Sequence, residues 1–180
     1  LQYIADGIKI KSAEADAMYA GIVIDTNNFT NQTGVRTFEA AAFLRRNGAD
    51  VTRVRKLFRD DMQDYKARAA AISSAEIYRE AFSIGVCPSE GLPSPTIVCA
   101  QAANELLEIK GIKASVVMTE YHGLLYLSAR SIDEVNVQVM MEKLGGGGHR
   151  TIAGAQLSGI SMEEAKDRVK AVIDEMLQKG

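Results

Sequence analysis

A chain of 180 residues with 47% apolar content is long enough to bury a core, either as one domain or as two small ones. Its net charge of −2 and pI near 5.8 argue against bulk binding to nucleic acid, duplex DNA included, or to a membrane surface, since both need a broadly basic face. Cys87 and Cys99, the two cysteines, make neither a CxxC pair nor a disulfide framework, so they read as small buried hydrophobes in a reducing cytoplasm.

The opening "LQYIADGIKI" lacks an initial methionine and starts inside an apolar pattern of Leu1, Ile4, Ala5 and Ile8, so a piece of something longer is expected. No run reaches the roughly 18 apolar residues of a membrane span. Ser12 is placed to cap a first helix, with Glu14 in its first turn and Ala17, Ala20 and Ile24 on one face up to "DTNNF". "TNNFTNQTG" reads as a loop. Thr37 or a neighbour starts a second helix that Gly48 closes, and Asp50 caps a third.

"DDMQDYKARAAAISSAEIYREAF", near residues 60–82, predicts one long polar-faced helix serving as a connector. From Arg45 to Arg68 there are eight Lys or Arg against four Asp or Glu, which is either a solvated helical face or an anion-facing patch. After it, "AFSIGV" is a strand, and Ser94 with Pro95 opens a helix running to Lys110 and stopping at Gly111. "ASVVMTEY" and "GLLYLSAR" are two strands joined by a tight turn at His122-Gly123. Ser131 with Glu134 makes a capping box for the helix "DEVNVQVMMEKL". "TIAGAQL" is a strand, and Ser161 with Glu164 caps a last amphipathic helix to about Leu177.

Between a helix end and a strand stands "LGGGGHR", Gly145 to Gly148 followed by His149, one of only two histidines. The dinucleotide fingerprint needs a strand before its glycines and a helix after them, so both order and spacing exclude it. One glycine would cap the helix. Four let the backbone turn several N–H groups toward one point, a nest for an anion such as phosphate, and clear side chains from its path. His149 is placed to donate to a phosphate oxygen or to act as acid or base. Arg130 offers a planar fork at the end of a strand, with Ser128, Ser131 and Asn136 nearby as polar partners; a surface ion pair is the competing role for Arg130. Tyr121 and Tyr126 are able to stack on a base or simply to pack against their strand neighbours.

"YAGIVIDTNNFTNQTGVRTFEAAAFLRRNGADV" and "YLSARSIDEVNVQVMMEKLGGGGHRTIAGAQL" together resemble the C-terminal part of the DHH-superfamily phosphodiesterases that hydrolyse cyclic di-AMP, from about Asp16 to the end of the chain. The resemblance implies an α/β fold of two parts: a remnant of a DHH domain over residues 1–58, a helical linker over 59–82, and over 83–180 a complete DHH-associated domain with a small mixed sheet flanked by helices. It implies a hydrolase that converts a cyclic dinucleotide to linear pApA with two Mn²⁺ ions. It puts Asp25 at a metal-ligand position, and Arg130 and Gly145 to His149 at substrate-binding positions. The resemblance also implies a membrane-anchored full-length protein with this part on the cytoplasmic face.

The family's Asp-His-His motif and its earlier metal ligands are absent from these 180 residues, and Asp25 alone cannot hold two ions. No catalytic set is complete, so the chain alone is expected to be inactive. "GGGGH" is shared with oligoribonuclease and phosphoadenosine phosphatase relatives. A nuclease or phosphatase of that type, a non-catalytic module binding a short oligonucleotide, and a dimerising scaffold remain alternatives.

Overall fold

The computed structural model describes residues 9–30, 33–132 and 134–179. The apolar pattern at Leu1 to Ile8, with part of the "TNNFTNQTG" loop, lies outside the described residues. Two compact units are present, one up to Asp60 and one from Asp61 onward.

The first unit is three helices: α1 (Ser12–Asp25), α2 (Val35–Arg46) and α3 (Val51–Leu57). Ala15, Leu44 and Ala49 form its small core, with Ile10, Met18, Tyr19, Ile22 and Phe43 packed around it. Lys11, rather than the expected Ser12, precedes the first helical residue, because the Glu14 carboxylate accepts the Lys11 N–H at 2.8 Å. α2 likewise begins at Val35, ahead of Thr37, whose hydroxyl oxygen turns back to accept from Gly34 N–H at 3.4 Å. Asp50 caps α3 as expected, taking the Arg53 N–H at 2.8 Å. The Asp16 carboxylate ties α1 to the start of α3: it accepts from Arg53 Nε at 2.6 Å, from Asp50 N–H at 2.7 Å and from Arg53 Nη2 at 3.2 Å. That guanidinium holds the Asp16 carboxyl below the usual carboxylate range.

The second unit is a mixed sheet with helices on both faces, an α/β architecture. The expected long helix over 60–82 is not continuous. α4 (Met62–Ser73) ends where the Ser74 hydroxyl donates to the Ala70 carbonyl, and "EIY" becomes β1 (Glu76–Tyr78), antiparallel to β2 (Phe82–Val86). Arg79 and Glu80, both with positive φ, make the turn between them. Ile77 and Tyr78 favour extended backbone, and pairing with β2 overrides the helical pattern. α5 (Pro95–Leu106) follows, shorter than the expected helix to Lys110: beyond Leu106 the bonds shift to a tighter i→i+3 pattern, and Gly111 turns at φ 93.

β3 (Ala114–Tyr121) then pairs parallel with β2 and antiparallel with β4 (Leu124–Ser131). The His122-Gly123 turn between them has positive φ at both residues, 51 and 75, as a two-residue hairpin requires. α6 (Val137–Glu142), the two-residue β5 (Gly147–Gly148), β6 (Ile152–Leu157) and α7 (Met162–Lys179) complete the unit, in the sheet order β1-β2-β3-β4-β6-β5. Ser161 caps α7 by accepting the Glu164 N–H at 3.2 Å, as expected.

Alternation along the strands divides the residues between two cores. Val116, Met118, Leu127, Ala129, Ala153 and Ala155 face α6 and α7, where Met140, Met141, Val169 and Ile173 are fully buried. Val117 faces the opposite way, against Cys99, Ala102, Ala103 and Leu106 of α5 and Ala67 and Ala71 of α4. Burial pushes the Cys87 thiol up to about 11 and the Cys99 thiol up to about 12.

Candidate functional site

On the α5 side of the sheet, β4 turns Tyr126, Ser128 and Arg130 outward at a spacing of two residues, while Leu125, Leu127, Ala129 and Ser131 point to the other core. Register extends each of these positions into a row on β6, and the Ser128 row continues onto β5. Arg130 pairs with Ile152, which exchanges backbone bonds with His149. Ser128 pairs with Gly154, and Gly154 with Gly147. Tyr126 pairs with Gln156. An open pocket of about 490 Å³ lies here, lined by Tyr126, Leu127, Gly145, Gly146, Gly154, Ala155 and Gln156. That volume falls within the roughly 300–1,000 Å³ usual for small-molecule sites.

Arg130 is half-buried. Its Nε donates to Asn104 Oδ1 on α5 at 3.1 Å and its Nη1 to the Ala129 carbonyl at 2.9 Å. Burial lowers its pKa, but an arginine in this setting stays cationic at neutral pH. Asn104 thus fixes a planar cation at one end of the rows. Ser128, one row away, sits beside the Cys99 thiol.

The four glycines have distinct physical reasons. α6 ends in a Schellman cap: Gly145, at φ 80, donates its N–H to the Glu142 carbonyl at 3.0 Å, and Gly146 donates to Met141 at 2.8 Å. At Gly146 an added Cβ would overlap the Gly154 carbonyl oxygen and stand 2.6 Å from Ala155 Cα. At Gly148, with φ 146, it would stand 2.5 Å from Ala153 Cα. At Gly147 nothing lies within 4 Å and φ is not in the left-handed region. The fold therefore requires three of the four glycines. Gly147, opposite Gly154 on the sheet, is the one whose bareness the protein itself does not use. The expected nest of free amides is also altered, since the N–H groups of Gly145, Gly146 and His149 all donate to protein carbonyls. The His149 side chain is exposed at the end of β5.

Two of the expected polar partners are placed in structural roles. Ser131 is buried on the opposite face of the sheet and donates to the Val135 carbonyl at 2.7 Å. Asn136, rather than Ser131, caps α6: its Oδ1 accepts from Gln138 N–H at 3.1 Å and Val139 N–H at 3.3 Å. The expected capping partner, Glu134, instead forms an ion pair with Lys113 at 2.6 Å. Tyr126, weighed from the sequence as a stacking or a packing residue, lines the pocket; Gln156, Gly154 and Asn104 are the lining and supporting residues that the sequence did not point to. Gly154 in mid-strand was the available signal, since a lone strand glycine marks close backbone approach.

Asp25 belongs to the first unit, exposed at the last residue of α1. The next residue, Thr26, is buried; its hydroxyl donates to the Ile22 carbonyl at 2.6 Å and accepts from Phe29 N–H at 3.0 Å. Asn27, Asn28 and Phe29 all have positive φ, an uncommon run for non-glycine residues. Among the described residues no group of three or more His, Cys, Asp or Glu is arranged to hold a metal ion, so the residues present do not fit a two-metal centre. Among the described residues, too, no helix is long and apolar enough to cross a membrane.

Residues 94–179, which run from α5 to α7 and include β3 to β6, match the DHHA1 domain family. Residues 94–179 are thus a DHHA1 domain, and the chain as a whole is similar to the C-terminal part of cyclic-di-AMP phosphodiesterases. It is 42% identical over 182 residues to the cyclic-di-AMP phosphodiesterase GdpP of Bacillus subtilis, covering 100% of this chain and 28% of that protein. To the cyclic-di-AMP phosphodiesterase PdeA of Listeria monocytogenes it is 40% identical over 174 residues, covering 96% of this chain and 26% of that protein. The chain thus spans about a quarter of the length of these relatives. In fold it is similar to the crystal structure of an exopolyphosphatase-related protein from Bacteroides fragilis, with a TM-score of 0.82 at 21% identity over 92% of this chain and 51% of that one.

Proposed function

We propose that this chain is the nucleotide-holding part of a metal-dependent phosphodiesterase that hydrolyses cyclic di-AMP to linear pApA. The observation that carries this reading is the open pocket on a glycine floor, with Arg130 fixed two rows from Tyr126, in a chain similar along its length to two cyclic-di-AMP phosphodiesterases. Arg130 and Ser128 hold a phosphate, and His149 donates to it from the end of β5. The bare backbone at Gly147 and Gly154 lets the sugar-phosphate lie against the sheet.

Residues 1–58 act as part of a DHH domain, and Ile24, Val35, Phe38 and Leu57, all exposed there, are apolar surface suited to packing against further segments. Two Mn²⁺ ions need more oxygen and nitrogen ligands than Asp25 offers, so the isolated chain binds nucleotide without cleaving it. On the same reading the whole protein is membrane-anchored, with this part on the cytoplasmic face.

Calorimetric titration of the 180-residue chain with cyclic di-AMP and with pApA tests the proposal. Binding by the parent is expected, weakened about tenfold or more in Arg130→Ala, because a charge-assisted bond is lost. Absence of heat, together with an unchanged melting temperature at saturating nucleotide, would overturn it, since a ligand that binds only the folded state must raise that temperature. Rapid Mn²⁺-dependent formation of pApA by the chain alone would overturn the division of labour.

A further inference from the structure

We infer that Tyr126 and Gln156 are the base-reading end of this pocket and select adenine over guanine; the inference rests on the pocket being a nucleotide site. The two side chains come from different strands and meet only through register, as a directly paired couple on β4 and β6. Both line the cavity. Among the described residues the Gln156 amide has no hydrogen-bond partner, so its polar end is available to a ligand, while Tyr126 offers its ring. The Tyr126 ring is backed by Tyr121 at 6.3 Å, and Tyr121 in turn by His122 at 3.9 Å, so an aromatic cluster steadies it at the hairpin end of the sheet.

Beside this couple the floor is flat. Gly154 has no side chain, and a Cβ there would stand 2.9 Å from the Leu127 carbonyl oxygen, so only glycine keeps the backbone open to a planar ring. Four residues along β4 separate Tyr126 from Arg130, about 14 Å at roughly 3.4 Å per residue. A nucleotide whose phosphate is held in the Arg130 row therefore extends its base toward the Tyr126 row. There the ring stacks on the tyrosine, an interaction that tolerates any base.

Selection comes from the amide. A glutamine side chain presents one acceptor and one donor side by side, matching the N6 donor and N7 acceptor on the Hoogsteen edge of adenine. Guanine presents two acceptors, O6 and N7, on that edge and leaves the amide oxygen facing one of them.

The test is titration of the parent chain and of Gln156→Ala, Tyr126→Phe and Tyr126→Ala with cyclic di-AMP and with cyclic di-GMP, with Arg130→Ala as reference. The parent is expected to favour the adenine dinucleotide by about tenfold or more. Gln156→Ala should bring that ratio close to one by weakening the adenine ligand. Tyr126→Ala should weaken both ligands by about tenfold, and Tyr126→Phe, which keeps the ring, should weaken neither appreciably. Gln156 is exposed, so its variant should melt with the parent. An unchanged adenine-to-guanine ratio in Gln156→Ala, while Arg130→Ala still loses binding, would overturn this inference and leave the nucleotide site standing. Failure of the parent to bind either dinucleotide would sink both.

Discussion

A single methyl group added at Gly146 separates what the fold needs from what a ligand needs. Its Cβ would stand 2.6 Å from both Ala155 Cα and Ala155 Cβ, and closer still to the Gly154 carbonyl oxygen. Carbon atoms rest at about 3.5–4.0 Å, so β5 has to move away from β6 by roughly 1 Å. The obstacles are mainly backbone, which cannot rotate aside, so the cost falls toward the upper end of the ~1–3 kcal/mol typical of overpacking. Replacing glycine also removes unfolded-state freedom and returns ~0.4–1 kcal/mol. The net loss is about 2 kcal/mol, which lowers the melting temperature of a chain this size by about 4–8 °C. At Gly147 nothing lies within 4 Å, so Gly147→Ala keeps the entropic gain and melts at or slightly above the parent temperature. Gly147→Ala instead fills space opposite Gly154 and should weaken cyclic di-AMP binding. Thermal unfolding followed by circular dichroism, paired with titration, reads both effects. Equal destabilisation by the two substitutions, or a Gly146→Ala variant that melts with the parent, would refute the account of the glycine run.

Asn136→Ala removes the α6 cap and should cost about 1 kcal/mol of stability while leaving nucleotide affinity unchanged; a loss of affinity at constant melting temperature would return Asn136 to the ligand. Asp16 is held below its unfolded carboxyl value of about 3.9, so its contribution is full above that pH and is lost as pH falls through the lower folded value. Urea unfolding should therefore show Asp16→Asn less stable than the parent at pH 7, with the gap narrowing in acid; a gap that widens would contradict the sign. Burial of Cys87 and Cys99 should slow their reaction with an aromatic disulfide reagent at pH 8 by about a hundredfold relative to the unfolded chain, and rapid labelling of native protein would contradict their placement.

Features that depend on a few adjacent residues were legible in the sequence. Asp50 before α3, Ser161 before α7 and the His122-Gly123 turn are local devices, each satisfied within three or four residues. The failures are non-local. Ser73 to Phe82 has a helical pattern until β2 offers a partner for Ile77 and Tyr78, and no window along the chain contains that partner's pull. Ser131 and Asn136 both carry cap chemistry at plausible spacing, and the choice between them was made by the sheet: Ser131 belongs to β4, so its hydroxyl is drawn to Val135 and Asn136 takes the helix end.

The site divides along the same line. The glycine run announces itself by composition, because four successive side-chain-free residues are unusual wherever they stand, and Arg130 is marked by its place at the end of a strand. Gln156 is an ordinary polar residue on an exposed strand position, and thirty residues separate it from Tyr126 in the chain. What gives the couple meaning is the antiparallel register of β4 and β6, which sets Tyr126 against Gln156 and Ser128 against Gly154 at once. A slip of one residue would turn Gln156 into the Met140 and Met141 core and bring Ala155 and Ala153 to the surface. The alternation of small buried alanines with Gly154 and Gln156 therefore does two things together: it forbids the slipped register by its cost in the core, and so fixes which polar side chain faces the pocket.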